Sequence, residues 1–262
     1  MRVYLKVAKQ SFQQKLSYKL EYYLGLFGSI LSIFITSAIW KAVYGSEAVV
    51  SDVTQTQAVS YALLAILMRT TLTMNEFLID GKIRSGEIAT ELIRPYKFLV
   101  YIFSRVTGEV GYNMWTRILP LIIVSALCFN LEITNSWIHM IEFACSLVLS
   151  YFLLFYINLI FWLLAFWVHQ TWSLITIKNA IILLLSGATI PFWFLPDWLT
   201  RILQLLPFKD IYFTPLTIIL GKSISADVWR LYGEQLLWIA LFAIISLLLW
   251  RKAQTKLVIQ GG

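Results

Sequence analysis

Charged side chains are scarce in this chain. Of its 262 residues only 13% are Asp, Glu, Lys or Arg, whereas 59% are hydrophobic and 16% are aromatic. Soluble domains carry about 25% charged residues, and the mean hydropathy of +0.75 lies far above the soluble range. The apolar runs approach the ~20 residues that a helix needs to cross a bilayer. The composition therefore predicts a multi-pass membrane protein.

Cysteine and histidine are rarer still, with two residues of each. Cys128 and Cys145 lie inside apolar runs, so we expect packed thiols, since free cysteine is among the most buried residue types. His139 and His169 have no carboxylate or cysteine at ligand spacing, and we expect no metal site. A membrane-embedded enzyme would need a nucleophile or a cluster of acids and histidines, which the sequence does not supply.

A phosphate-binding loop is missing as well. A P-loop needs Gly-x-x-x-x-Gly-Lys-Ser/Thr, in which backbone N–H groups surround the phosphate. The only Gly-Lys-Ser, residues 221–223, has Leu216 in place of the first glycine. We therefore expect this chain to bind no nucleotide or other cofactor.

Hydropathy predicts six membrane-spanning helices. They cover residues 22–42, 57–78, 108–131, 137–168, 174–194 and 235–250. Before them, residues 1–21 place five lysines and arginines opposite apolar side chains. That pattern is typical of a helix that lies in the membrane interface. We interpret residues 1–262 as a single membrane domain.

The distribution of Lys and Arg predicts the orientation, because these residues stay on the cytoplasmic side when they are close to a span. They are frequent in the N-terminal segment, in residues 81–107 and in the C-terminal tail, and absent from loops 45–56 and 132–136. Four cations in the third outer segment oppose this assignment without outweighing the rest. We predict cytoplasmic termini in the plasma (inner) membrane. Most of the +7 net charge is then an orientation signal, so we expect no nucleic-acid partner.

A charged island, GKIRSGEIATELIRPYKF at residues 81–98, separates two apolar runs. Ser85 can cap a helix that Pro95 must end. At about 100° per residue this helix has one polar and one apolar face. The polar face carries Glu87, Glu91 and Arg94, and the apolar face carries Ile88, Ala89, Leu92 and Ile93. Two interpretations stay open: a solvated connection with an interfacial anchor, or a docking helix for a cytoplasmic partner.

Two stretches of sequence carry a family resemblance. One is Ile83-Arg84-Ser85-Gly86-Glu87-Ile88 followed by Glu91-Leu92-Ile93-Arg94-Pro95; the other runs from Ser186-Gly187 through Ile190-Pro191, Leu195-Pro196-Asp197-Trp198-Leu199 and Leu206-Pro207-Phe208 to Pro215 and Gly221. Together they resemble the compact six-span branch of the type-2 ABC transporter permeases, over nearly the whole chain. The resemblance implies an all-α membrane protein with an N-terminal interfacial helix, a cytoplasmic coupling helix and re-entrant outer helices before the last span.

In that family the helix between spans two and three is the coupling helix, which contacts a separate ATPase subunit. The resemblance assigns this role to residues 84–94. The implied contact residues are Arg84, Glu87, Ile88, Glu91, Arg94 and Pro95. It also implies that the partner binds ATP and Mg²⁺, so that this chain is a non-catalytic subunit.

Because the six spans of one chain are too few to enclose a path, we expect a second permease. By resemblance this second permease is an unlike chain, and membrane lipid surrounds the pair. Type-2 permeases mostly work outward, which favours export.

The outer segment, residues 187–234, contains four prolines, too many for a straight span, because each removes a backbone donor and clashes with the preceding turn. We expect short re-entrant limbs and an interfacial helix between Pro196 and Pro207. Two interpretations stay open: an ordinary capped loop, or an outer gate for an amphipathic substrate. The candidate gate residues are Pro191, Trp193, Trp198, Ile202 and Pro207.

Ionisable residues inside spans are costly in hydrocarbon and usually face protein or water. Two stripes occur at helical spacing: Arg69, Thr73, Glu76 and Asp80 in the second predicted span, and Glu109, Asn113 and Arg117 in the third. The two stripes can face each other. Either the arginines pair with neighbouring acids and stabilise the packing, or they line the translocation path or a permease–permease interface. Glu142 and Lys178 are close enough to span ends that we expect them to be solvated.

An ATP-independent channel or secondary transporter remains the alternative, with a membrane-embedded enzyme less favoured. Internal repeats with paired broken helices would favour a secondary transporter, but the sequence shows one broken region and no repeat. Purification separates these classes, because a permease subunit should bring an ATPase with it.

Overall fold

The computed structural model describes residues 2–45, 47, 49–134, 136–168, 170–222 and 225–260, so that His169 lies outside it. The described chain is mainly α-helical. Its helices are α1 (Arg2–Ser17), α2 (Lys19–Tyr44), α3 (Gln55–Thr71), α4 (Leu78–Arg84), α5 (Glu87–Ile93), α6 (Phe98–Thr116), α7 (Ile118–Cys128), α8 (Trp137–Leu164), α9 (Thr171–Leu185), α10 (Asp197–Gln204), α11 (Phe213–Ile219) and α12 (Ser225–Gln260). Strands Val49–Val50 and Val53–Thr54 pair antiparallel between α2 and α3. Single 3₁₀ turns occur at Phe192–Phe194 and Pro207–Asp210.

Four helical stretches of the described chain are long and apolar enough to cross a membrane. They are Lys19–Tyr44, Phe98–Cys128, Trp137–Leu164 and Asp227–Lys256. α9 is apolar but shorter, and most side chains of α3 are buried in the protein. The all-α membrane class is thereby confirmed. Six separate spans stay a prediction, for which α3 and α9 supply the two remaining candidates.

The stretch formed by α6 and α7 begins at Phe98, not at residue 108, and is interrupted at Arg117. Pro120 causes this interruption, because it has no N–H to donate to the carbonyl of Thr116 four residues earlier. The hydroxyl of Tyr22 in α2 donates to that carbonyl oxygen instead, at 3.1 Å. The hydrogen bond that Pro120 removes from the helix is thus replaced by a hydrogen bond from α2.

α1 lies against α6. The rings of Phe12 and Tyr112 meet edge to face, with centroids 5.8 Å apart. Gly108 is so close to α1 that a Cβ at this position would lie 2.1 Å from the carbonyl oxygen of Ala8. The predicted N-terminal interfacial helix is therefore also a packed part of the bundle.

The main core surrounds α8, against which α11 and α12 pack, and a second core joins α2 to α3. Leu153, Leu159 and Leu163 of α8 are completely or almost completely buried. Cys128 and Cys145 are instead exposed and free, so the prediction of packed thiols is wrong. Both lie on the surface of membrane helices, where lipid tolerates a thiol that behaves as a small hydrophobe.

The start of α1 and the last part of α12 lie at the same end of the bundle as the charged island. The backbone N–H of Lys97 donates to the hydroxyl of Tyr4 in α1, at 3.0 Å. Near the other terminus, Trp250 of α12 stacks on Phe98 with centroids 4.9 Å apart. The start of α1 and the last part of α12 therefore share a side with the island; that the termini are cytoplasmic stays a prediction.

Candidate functional site

The predicted coupling helix over residues 84–94 corresponds to α5, Glu87–Ile93, whereas Arg84 ends the preceding helix α4 and Ser85 and Gly86 join the two helices. Gly86 has φ +72°, a left-handed conformation that glycine adopts without steric cost. The N–H of Glu87 lies 3.4 Å from the hydroxyl of Ser85, a long distance for the expected cap. α5 ends at Ile93, before Pro95, in agreement with the prediction.

Glu91 does not face outward, which corrects the predicted polar face. This residue is 2% exposed, and its Oε1 lies 2.5 Å from Nζ of the equally buried Lys82 in α4. The hydroxyl of Tyr101 in α6 donates to the same oxygen at 2.9 Å. A buried carboxylate is costly unless it is paired and hydrogen-bonded; these two groups pair and hydrogen-bond its Oε1, while its buried Oε2 has no partner in the described part of the chain. We call Lys82, Glu91 and Tyr101 the clamp, because they join α4, α5 and α6.

The outward surface of α5 is more apolar than predicted. Ile93 is 85% exposed and Ala89 is exposed, although both were assigned to the apolar face. Ile88, one of the implied contact residues, is instead buried, while Glu87 and Arg94 are exposed on either side of this apolar stretch. The face differs because α5 packs on α4 through the clamp, which turns Glu91 inward and Ile93 outward.

The residues next to α5 are also held in place. Arg84 Nε lies 2.8 Å from Asp80 Oδ2 within α4. Beyond α5, Tyr96 stacks on Tyr101 with ring centroids 5.0 Å apart. Burial raises the pKa of Tyr96, and the nearby Glu91 carboxylate raises it further. The connection from α5 to α6 is therefore packed against the clamp.

A second polar network lies between α8 and α9. Lys178, which we expected to be solvated, is 2% exposed. Its ammonium group forms a salt bridge with Glu76 and donates a hydrogen bond to Oδ1 of Asn158. The indole N–H of Trp162 donates to the backbone carbonyl of Glu76 at 3.0 Å. Lys178 is thus an internal cation with two partners.

The early end of α3 explains this network. The helix ends at Thr71, not at residue 78, and the hydroxyl of Thr71 donates to the Leu67 carbonyl at 2.7 Å. The Asn75 side chain then accepts from the N–H of Phe77 at 3.0 Å, an Asx turn that competes with helix. Glu76 therefore lies in a turn and reaches α9.

A cavity of about 330 Å³ opens beside the network. Its polar lining consists of Arg69, Thr73, Glu76, Asn158, Lys178, Asn179 and Tyr212. The rest is mainly aliphatic, from α3, α8 and α9. Arg69 is an exposed residue, and within the described part of the chain its guanidinium has no ion-pair or hydrogen-bond partner. The cavity therefore contains two cations and one carboxylate.

The two predicted stripes meet at one point only among the described residues. Asn113 Nδ2 lies 3.3 Å from the carbonyl oxygen of Thr73, to which it donates. Glu109 pairs within its own helix with Arg105, at 3.4 Å. Arg117 packs against α2, and its Nε has no partner in the described part of the chain. The expected pairing of the arginines with acids of these stripes is wrong, because α3 ends before its acidic residues.

The outer segment folds back onto the bundle at Ser186 and Gly187. Gly187 has φ +74°, and its carbonyl accepts from the hydroxyl of Tyr61 in α3 at 2.8 Å. The N–H of Phe213 donates to the Ser186 carbonyl at 3.1 Å. α11 is buried along nearly its whole length. α12 begins at Ser225, so the irregular part of the segment is shorter than the predicted 187–234.

The five candidate gate residues do not form one surface. Pro191 and Pro207 are buried, and Trp193 is half-buried with its ring 5.4 Å from that of Tyr61. Trp198 and Ile202 are exposed on α10, 66% and 51% respectively. Trp193 borders the large outer cleft between α10 and α12, whereas Trp198 and Ile202 do not.

This outer cleft has a volume of about 1090 Å³ and a charged lining. Glu234 neutralises two cations, since its carboxylate lies 2.5 Å from Lys209 and 3.0 Å from Arg230. Lys222 lies 4.5 Å from the ring centre of Trp193. Burial lowers the pKa of Lys222, opposed by Asp52 and Glu132. The cleft thus presents paired charges on the side of the bundle opposite the clamp.

Comparison with known families decides the class. Residues 27–261 match the family described as ABC-2 family transporter protein. The chain belongs to the ABC-2 transporter family. No curated protein and no solved structure matches it. Family membership together with the apolar helices establishes a multi-pass permease of the ABC transporter class.

Four important residues of this ABC-2 permease were not among the candidates found in the sequence: Lys82, Tyr101, Asn158 and Lys178. Lys82 carried a usable signal, because it lies nine residues from Glu91, within reach once the chain turns at Gly86. No feature of the sequence could have identified Lys178 and Asn158, because their partners come from distant parts of the sequence. Glu76 is 102 positions from Lys178.

Proposed function

We propose that this chain is the permease subunit of an ATP-driven exporter of amphipathic, lipid-like substrates, driven by a separate ATPase subunit. ATP and Mg²⁺ bind to that ATPase. The observation that carries the proposal is the structure of α5, a short helix that is fastened into the bundle by the clamp and exposes Ile93 and Arg94. An apolar side chain beside charged ones suits a protein partner better than water.

The clamp supports a mechanism of coupling. Glu91 of α5 binds both Lys82 of α4 and Tyr101 of α6. A force applied by the ATPase to α5 is therefore transmitted through buried ionic contacts to the start of a membrane helix. α1 moves with α6, since Gly108 and Ala8 are in contact. An exposed surface salt bridge would transmit little, because such pairs contribute only about 0–1 kcal/mol.

The complete transporter contains a second permease, which we expect to be an unlike chain. One bundle has a cavity beside Lys178 and a separate outer cleft. Two bundles are needed to enclose a path that leads from this cavity to this cleft. In this arrangement the termini and α5 face the cytoplasm of the plasma membrane, and α10 lies in the outer leaflet. Asp197, Arg201 and Lys209 border the outer cleft, through which the polar part of a substrate leaves.

Co-purification tests the proposal. We replace the exposed Ile93 by Asp in the tagged full-length chain, and Val49 by Asp as a matched control, because Val49 is 53% exposed at the opposite end of the bundle. Ile93→Asp is expected to insert normally and to lose the ATPase, whereas Val49→Asp retains it. If Ile93→Asp retains the ATPase, α5 is not the docking site. If the unaltered chain brings down no ATPase, a channel or secondary transporter is favoured.

A further inference from the structure

We propose that the cavity beside Lys178 binds the headgroup of an amphipathic anion, a carboxylate or phosphate that carries an acyl chain. This inference rests on the proposed function and adds the chemical class of the substrate to it. It starts from the charges in the cavity. Lys178 is balanced by Glu76 and by the amide oxygen of Asn158. Arg69 has no such partner among the described residues, so one positive charge is uncompensated.

A guanidinium group in a partly apolar cavity selects an anion. Its planar N–H groups match the two oxygens of a carboxylate or phosphate, and such bidentate pairs are stronger than neutral hydrogen bonds. Arg69 lies in the last turn of α3 and borders the cavity next to Thr73. Asn179 adds an amide group to the lining, whereas the Asn158 amide is engaged by Lys178 and by the Leu154 carbonyl. An ammonium headgroup, in contrast, would meet a net positive charge.

The size and the apolar lining of the cavity indicate an attached chain. A volume of about 330 Å³ is at the lower end of ligand pockets, roughly 300–1,000 Å³. It holds a headgroup but not a whole lipid. Leu154, Ile182 and Leu183 provide the apolar part of the lining. Leu183 is 40% exposed on α9, so an acyl chain can leave the cavity along this helix and remain in hydrocarbon.

Glu76 restricts what the site accepts. Its carboxylate is held by Lys178 and its backbone carbonyl by Trp162, so it does not turn towards Arg69. Lys178 is consequently occupied, and Arg69 is left as the group that a ligand neutralises. A monoanionic headgroup balances this single charge.

The test measures binding to the purified permease–ATPase complex with three radiolabelled probes: oleate, dioleoyl phosphatidate and the neutral dioleoylglycerol. Inorganic phosphate serves as a competitor without an acyl chain. We expect the unaltered complex to bind one or both anionic probes, and not the neutral probe. Oleate alone identifies a fatty-acid-type carboxylate, and phosphatidate alone identifies a phospholipid-type headgroup. If inorganic phosphate at the same concentration displaces the bound anionic probe, the acyl chain is not needed for binding, and this would contradict the inference.

Arg69→Gln is expected to weaken anion binding at least about tenfold, the equivalent of one lost charge-assisted hydrogen bond of about 1.4 kcal/mol, while Arg69→Lys retains part of it. Thr73→Asp, one turn from Arg69, supplies an internal carboxylate and should give the same loss. Arg251→Gln is the matched control, because Arg251 is an exposed arginine of α12 that borders neither the cavity nor the outer cleft. Equal binding by Arg69→Gln and Arg251→Gln would overturn the inference, as would equal binding of the neutral probe. ATPase co-purification is measured on the same samples, so that failure of the proposed function is recognised separately.

Discussion

Nζ of Lys82 lies 2.5 Å from Oε1 of Glu91, and both side chains are almost completely excluded from solvent. The pair joins α5 to the preceding short helix α4, which was not predicted from the sequence. Because a buried charge is costly when its main partner is removed, this contact is expected to stabilise the whole α4–α5 element. The first prediction concerns its energy.

Glu91→Ala is expected to reduce the free energy of unfolding by at most about 3–5 kcal/mol, the cost of a fully unpaired buried charge, since Lys82 then keeps only the exposed Glu87, at 3.3 Å, as a counter-charge. Thermal denaturation in detergent measures the effect. Glu87→Ala is the matched comparison, because it removes the other, 56% exposed carboxylate beside Lys82 and leaves the buried pair intact, so it should cost less than Glu91→Ala. Lys82→Met combined with Glu91→Leu should recover most of the stability. A Glu91→Ala protein with unchanged Tm would contradict a stabilising role for the clamp.

Gly108→Ala is expected to displace α1 from α6, because the added Cβ would lie 2.1 Å from the Ala8 carbonyl oxygen. Gly111→Ala lies in the same helix with no atom within 4 Å of the added Cβ and serves as the control. Limited proteolysis of α1 in membranes measures the displacement. Faster cleavage is expected in the first variant only, and identical cleavage of the two would mean that α1 does not pack as the structure shows.

Tyr22→Phe is expected to destabilise the protein by about 1–3 kcal/mol, since the Thr116 carbonyl loses its donor. Pro120→Ala restores a backbone N–H at position 120, which can donate to the same carbonyl. In the Pro120→Ala background Tyr22→Phe should therefore cost measurably less. Thermal denaturation of the four proteins gives the coupling energy between the two positions. Additive effects would show that Tyr22 does not replace the missing helix hydrogen bond.

Cysteine labelling tests the position of α10 in a background that lacks Cys128 and Cys145. Arg201→Cys should react with a membrane-impermeant thiol reagent added from outside. Ile202→Cys should react only with a membrane-soluble reagent, because this exposed side chain then faces lipid. Leu203→Cys should react with neither, since Leu203 is 2% exposed. Equal labelling of all three would indicate an irregular solvated segment, and labelling of Arg201→Cys only after lysis would reverse the predicted orientation.

Local rules were sufficient for the class of the protein and for many of its interruptions. Low charge and long apolar runs determine a helical membrane protein, and the resemblance of two short motifs identified the family that residues 27–261 match. α5 ends before Pro95, as predicted from the clash of proline with the preceding turn. These features depend on residues that are neighbours in the chain, which is why the sequence alone could predict them.

The partners of the charged residues were decided by tertiary structure. Glu91 turned inward because α4 brought Lys82 beside it, and Glu76 met Lys178 because α3 ended at Thr71. A helical periodicity gives the relative directions of side chains on one helix, but not which direction faces the protein. That choice depends on where each helix ends and on which neighbour can neutralise a buried charge. In this permease the sequence determined which residues are charged, and only the packing of distant helices decided which of them are paired and which, like Arg69, have no ion-pair partner among the described residues.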